Sequence, residues 1–184
     1  MPAPIRPQLT HAGIYVDDIA TMRDFYVGVI GLIETDRGHG FTFDNDFVFM
    51  SANPTIHHQL ILATGRKDRA KASSVNQLSF KVGSLAELRA MEKRVRDYGI
   101  TAIRPVSHGN AWSIYFDDPE GNGVEIYLDT PFHTSQPHAD KLDLAKSDDE
   151  IVRWTEEVCR SDPTFTKVEN WNAHMRDALG NESA

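Results

Sequence analysis

One cysteine, Cys159, stands in a chain of 184 residues. A lone cysteine excludes an internal disulfide and fits a reducing compartment. It lies in IVRWTEEVCR with no histidine motif beside it, so a structural thiol is expected rather than a nucleophile. No apolar run approaches the roughly 20 residues of a membrane-spanning helix, and MPAPIRPQLTHAG lacks the apolar stretch of a signal peptide. Basic excess is absent as well. Nineteen Lys and Arg against 27 Asp and Glu leave a net charge of −8, the wrong sign for nucleic acid or anionic lipid. These absences predict a cytoplasmic protein that binds neither nucleic acid nor membrane. What remains, 40% hydrophobic residues in 184, is enough for one domain with a sizeable core and an appendage.

After a Pro-rich arm over residues 1–8, apolar and polar residues alternate from Leu9 to Val16 as in a half-buried strand. Asp17 or Asp18 can cap a helix bearing Ile19, Met22, Phe25, Tyr26 and Val29, which Gly31 should stop. Strand-like pieces follow at 32–36, 40–51 and 57–63, then the charged connector GRKDRAKAS. From Val75 the pattern begins again with a strand to Val82, a capping box at Ser84–Glu87, a helix ending near Gly99, and strands at 100–106, 111–117 and 124–129. Both halves read β-α-β-β-β.

The halves also align in detail at a constant offset of 66 residues: Ile14 falls on Phe80, Val16 on Val82 and Ile19 on Leu85. At that offset His11 falls on Gln77 and Gln59 on Glu125. These four positions are polar within otherwise apolar strands, which points to a shared site. Glu125, between Val124 and Ile126, needs a partner, because an unpaired buried carboxylate is costly. A bound metal or a buried salt bridge would each supply one. Strand alternation puts His57 on the face of Gln59 and turns His58 away. The turn Asp118–Gly123 carries no chemistry in this reading; its Pro and Gly shape the backbone. In the tail, a capping box at Ser147–Glu150 starts a helix with Ile151, Trp154 and Val158 on one face, and another helix spans about 169–179. That stripe, with Trp171, is expected to pack on the domain or on a second subunit.

LTHAGIYVDDIATMRDFYVGVIGL, VNQLSFKVGSLAELRAM and HGNAWSIYFDDPEGNGVEIY together resemble the vicinal oxygen chelate superfamily of glyoxalases, bleomycin and fosfomycin resistance proteins and type I extradiol dioxygenases. The resemblance implies an α+β fold of two βαβββ modules, about 8–66 and 74–131, forming a cupped mixed sheet around one metal. Residues 1–131 would form that domain, and 132–184 a helical C-terminal extension. Within the superfamily the chain is most similar to the extradiol ring-cleaving group. That similarity implies His11 as the first metal ligand, Glu125 as the last, His57 as acid/base, and His108 and Tyr115 as contacts to substrate oxygens.

Gln77 departs from that group, standing where it has its second metal histidine. An amide oxygen binds Fe(II) more weakly than imidazole and favours oxygen-preferring metals. Glyoxalases and epimerases place Gln at metal positions, so Gln59 joins the candidate ligands. The expected cofactor is a divalent metal, Fe(II) or Mn(II) first, with Zn, Ni or Co as alternatives. The expected activity is dioxygenase-like ring cleavage of a catechol-type substrate. Its alternatives are a glyoxalase- or epimerase-type lyase or isomerase and a metal-free binding protein. Such relatives also imply a homodimer acting on a small aromatic compound.

Overall fold

A computed structural model describes residues 6–41, 44–67 and 74–180. Part of the charged connector lies outside the described residues, as does most of the Pro-rich arm. By its contacts the chain divides into two units. The first holds residues up to Ser74 together with Asp118–Asn122, and the second holds Val75–Asp117 and Gly123 onward. Among the described residues no helix is long and apolar enough to cross a membrane.

The first unit runs β1 (Ala12–Val16), α1 (Ile19–Phe25), a π-turn (Tyr26–Ile30), β2 (Ile33–His39), β3 (Asp46–Ser51) and β4 (Leu60–Thr64). Its sheet has the order β1-β4-β3-β2, with β1 parallel to β4 and the other pairs antiparallel. Asp18 starts α1 by accepting from the amides of Ala20 (3.1 Å) and Thr21 (3.0 Å), which satisfies two of the helix's orphan donors. Gly31 closes it at φ 92°, a left-handed conformation that favours glycine. Met22, Phe25 and Tyr26 are fully buried, together with Val16, Met50 and Leu62 from the sheet. Each such side chain contributes roughly 1.5–3 kcal/mol.

The β7–β8 turn is counted with this unit, and its anchors explain why. Buried Asp118 accepts from the Tyr26 hydroxyl (2.9 Å), the Glu120 amide (3.0 Å) and Asn122 (2.9 and 2.8 Å). The Glu120 side chain accepts from the amides of Asp17 and Asp18, both at 2.8 Å, and pairs with Arg66 at 3.1 Å. The DPEGNG segment is scaffold, as its composition suggests, but scaffold held by two carboxylates.

The second unit runs β5 (Leu78–Lys81), α2 (Leu85–Asp97), β6 (Arg104–Ser107), β7 (Ala111–Asp117) and β8 (Gly123–Asp129). The tail follows as β9 (Phe132–His133), β10 (Asp140–Lys141), α3 (Asp148–Cys159), β11 (Thr166–Lys167) and α4 (Val168–Leu179). The order of its main sheet is β10-β6-β7-β8-β5, with β5 parallel to β8, while β9 and β11 pair separately. Trp112, Ile114, Phe116, Val124 and Ile126 are buried on one face, as are Leu85, Leu88 and Val95 of α2. The opposite face carries Ser79, Tyr115, Glu125 and Tyr127. This is the period-two pattern of an antiparallel meander. The fold is α+β, and both units repeat the βαβββ order.

Three expectations change. β4 begins at Leu60, so His57, His58 and Gln59 precede the strand and alternation does not govern them. The two units also differ in register. Gly13 pairs with Ile61 and Ser79 with Glu125; Ser79 is 66 residues beyond Gly13, but Glu125 is only 64 beyond Ile61. The counterpart of Glu125 across the parallel pair is therefore Ile61, not Gln59. In α3 the buried side chains are Ile151, Thr155 and Cys159, with Trp154 and Val158 flanking them half-buried. This face packs within its own unit: the Trp112 indole donates to Thr155 Oγ1 at 2.9 Å. Trp171 of α4 stacks on His133, ring centroids 5.1 Å apart.

Candidate functional site

Glu125 is 7% exposed and forms the centre of the second unit's polar face. Four neutral donors surround its carboxylate. Oε1 accepts from Ser113 Oγ (2.8 Å) and the Tyr115 hydroxyl (2.5 Å); Oε2 accepts from Gln77 Nε2 (2.9 Å) and Ser79 Oγ (2.6 Å). Strand pairing builds this cage, since Ser79 and Tyr115 both stand opposite Glu125. The buried carboxylate thus has hydrogen bonds in place of the salt bridge weighed from the sequence. Among the described residues no Lys or Arg forms an ion pair with it, so its charge is bonded but not neutralised. Ser79 and Ser113 were not singled out from the sequence, although alternation two residues from Gln77 and from Tyr115 marks both.

Tyr115 links this cage to His108. Its oxygen lies 2.8 Å from His108 Nε2, and the Arg104 guanidinium sits over its ring, 4.8 Å from the centroid. Burial, then the hydrogen bond and charge of Glu125, push the phenol pKa up to about 12, so Tyr115 stays a neutral donor at physiological pH. His108 Nδ1 lies 2.7 Å from the His138 carbonyl, which can only accept, so Nδ1 carries the proton. A neutral His108 then offers a bare Nε2 to Tyr115. Tyr115 has one proton, and both Nε2 and Glu125 are placed to accept it.

This face opens into a cavity of about 370 Å³ lined by Ser79, His108, Asn110, Ala111, Tyr115, Glu125, Tyr127 and Gln136. Lys81 of β5 pairs with Asp129 at the end of β8. His108, Tyr115, Gln77 and Glu125, four of the residues expected from the sequence, are therefore brought together in this unit. Gln136 and the His138 carbonyl were missed. The tail supplies both, and nothing in local sequence marks a backbone carbonyl as a partner.

The other expected residues, His11, His57 and Gln59, lie in the first unit. Gln59 is tied into the chain: its Oε1 accepts from the Ala52 amide (3.0 Å) and Ser51 Oγ (3.3 Å). Next to it, His58 rather than His57 meets His11, with ring centroids 4.6 Å apart, and also faces Phe49 at 5.2 Å. His57 Nδ1 approaches His58 Nδ1 at 2.9 Å. Burial, then the charges His11 and His57 would carry, push the His58 pKa down. The alternation that turned His58 away fails because both histidines sit in a bend ahead of β4.

Among the described residues no three His, Cys, Asp or Glu side chains cluster to hold a metal. The second unit's donors nonetheless fit a divalent cation in chemistry. Glu125 is a buried, unneutralised carboxylate, a group that pairing or a metal stabilises. Turning the Gln77 amide end for end would set a second hard oxygen beside it. Oxygen donors of this kind suit Mn(II) and similar ions.

The chain holds two βαβββ units, one of which bears a caged carboxylate on its open face. The family model of the Glyoxalase/Bleomycin resistance protein/Dioxygenase superfamily matches residues 8–126, and the chain belongs to that superfamily. It is 27% identical over 143 residues to biphenyl-2,3-diol 1,2-dioxygenase 3 of Rhodococcus globerulus, covering 75% of this chain and 71% of that protein. A glyoxylase/bleomycin resistance protein/dioxygenase domain from Frankia sp. EAN1pec shares the fold at TM-score 0.57 and 21% identity, over 68% of this chain and 100% of that one. A fosfomycin resistance protein mutant from Listeria monocytogenes, complexed with Mn(II) and 1S,2S-dihydroxypropylphosphonic acid, shares it at TM-score 0.55 and 19% identity, over 68% and 95%.

Proposed function

We propose that the chain is a metal-dependent enzyme of the extradiol dioxygenase kind, acting on a catechol-type aromatic diol. The observation that carries this reading is the string His108–Tyr115–Glu125 along one open cavity. It combines a proton acceptor, a neutral donor and a carboxylate, the three groups needed to bind a diol and take up its proton. The 27% identity to a biphenyl-2,3-diol dioxygenase supports it.

Glu125 and Gln77 are the ligands the second unit offers to Mn(II) or Fe(II). A bound cation would hold the diol oxygens and supply charge stabilisation and redox chemistry toward O2. The chain's own groups do the rest. Tyr115, held neutral, turns its hydroxyl donor between Glu125 and an oxygen on the open face. His108 accepts the proton a hydroxyl loses, at Nε2, because its Nδ1 proton is fixed on the His138 carbonyl. Ser79 and Ser113 keep Glu125 aimed while Tyr115 changes partner.

Loading the protein anaerobically with Fe(II) or Mn(II), then adding oxygen and a panel of catechols that includes biphenyl-2,3-diol, tests the reading. Oxygen uptake matched by a yellow ring-fission product is the expected result. Metal-loaded protein that leaves every diol intact overturns it. A second reading, a glyoxalase- or epimerase-type lyase or isomerase, draws on Gln77 beside Glu125. It consumes no oxygen, so the same uptake measurement separates the two.

A further inference from the structure

We propose that the tail beyond β8, outside the stretch that matches the family, is a clamp that sets the tautomer of His108, with Gln136 as its positioning residue. The Gln136 side chain bridges both ends of the His108 bond. Its Nε2 donates to the His108 carbonyl at 2.8 Å, and its Oε1 accepts from the His138 amide at 3.1 Å. Between these two contacts the His138 carbonyl meets His108 Nδ1 at 2.7 Å. His138 Nε2 lies 2.9 Å from Asp140 Oδ2 but makes no hydrogen bond among the described residues, and Asp140 pairs with Ser107 beside the loop. A single side chain thus fixes the spacing of the one contact that decides which ring nitrogen carries the proton.

The loop under His108 is gripped from the same side. Thr130 Oγ1 donates to the Gly109 carbonyl at 2.5 Å. Gly109 has φ +74°, and a Cβ there would lie 2.4 Å from Thr134 Oγ1 and 3.0 Å from Cys159 Sγ. The β9 region and α3 therefore pack so tightly against Gly109 that a side chain has no room. The loop cannot turn His108 away without displacing the tail, and the tail is what keeps Nε2 bare and facing Tyr115. Without the Nδ1 bond, the proton is free to move to Nε2, and the proton string through Tyr115 is blocked at its first member.

The proposed activity enters this inference only in the use made of Nε2; the tautomer itself can be read without any turnover. The experiment is nitrogen-15 NMR of the histidine rings in the full-length protein, at a pH where His108 is neutral, with its signals assigned by their loss in H108Q. The wild type is expected to show Nδ1–H. Gln136→Ala should shift the tautomer ratio toward Nε2–H by roughly tenfold, the effect of losing one hydrogen bond of ordinary strength. Gln136 is solvent-exposed, so the variant should keep the wild-type melting temperature within a few degrees. Wild-type protein carrying the proton on Nε2 overturns the proposal by itself, whatever the variant does. A folded Gln136→Ala protein with an unchanged ratio overturns it too. Should diol turnover be absent while the tautomer shifts as expected, the functional reading fails and the clamp stands.

Discussion

Removing Glu120 should take from the β7–β8 turn one of its two carboxylate anchors. Its side chain is 4% exposed and pairs with Arg66, which is 16% exposed. It also accepts the amides of Asp17 and Asp18 just where β1 gives way to α1. Glu120→Ala leaves a nearly buried guanidinium without its carboxylate and two amides without acceptors. Breaking one side of a buried pair costs about 3–5 kcal/mol, a large fraction of the roughly 5–15 kcal/mol that holds a domain folded. Glu120→Gln keeps an oxygen for both amides, and Arg66 still donates to the residue-120 carbonyl at 2.9 Å, so its cost should be about 1–2 kcal/mol. Urea denaturation followed by circular dichroism measures both. At about 2–4 °C per kcal/mol for a chain of this size, the Ala variant should melt roughly 6–20 °C lower. An Ala variant within about 1 kcal/mol of wild type would refute the anchor. Equal losses for Ala and Gln would show that charge, not the bonded amides, holds the turn.

Tyr115→Phe should lower diol turnover by roughly 10²–10⁴, the range of a lost acid–base contact, and leave stability within about 1 kcal/mol; steady-state kinetics and a melting curve test both halves. Glu125→Gln should abolish Mn(II) binding by calorimetry yet change apo stability by only about 1 kcal/mol, because Ser79 and Ser113 can turn their hydroxyls to accept from the new amide. Gly109→Ala should destabilise by about 2–4 kcal/mol, combining left-handed backbone strain with the clash at Thr134, and a lowered melting temperature checks it. The pH dependence has a definite sign. Arg37 and Arg23 hold Glu34, and Lys167 and Arg160 hold Glu156, below the usual carboxylate value of 4.5. Both are depressed acids, so their stabilisation is complete above that value and is lost as pH falls through the native values; melting temperature should fall modestly on the acid side of pH 4.5, since both groups are solvent-screened.

The helix starts were the most legible part of the fold. Asp18, Ser84 and Ser147 each announce a cap whose geometry is local, and each helix begins at the next residue. β7 and β8 were legible for a similar reason, since alternation along Ala111–Asp117 and Gly123–Asp129 reports one buried and one open face. His57 and His58 were not legible. Whether the chain is already extended at those residues depends on where β4 meets β1 and β3, a long-range matter. β9, β10 and β11 are two-residue pairings with no periodicity to detect. Gln136 illustrates the limit. It acts through a backbone carbonyl and an amide in its own tail, and sequence carries no mark of either.

The repeat misled at one point, and the register explains why. Sequence aligned Gln59 with Glu125 because both sit near the start of a last strand. The parallel pairings differ by two residues, so Ile61 occupies the place of Glu125 beside β1. A two-residue slip preserves which face a side chain occupies, so the pattern of apolar and polar positions survives it and cannot reveal it. The consequence is chemical. The first unit has an aliphatic side chain where the second has a carboxylate, and its amide at Gln59 is tied to Ser51 and Ala52. Duplication of the βαβββ unit therefore did not duplicate the acid. The carboxylate stands only in the second unit's copy, where Glu125 gathers four donors, Gln77, Ser79, Ser113 and Tyr115, with His108 behind Tyr115.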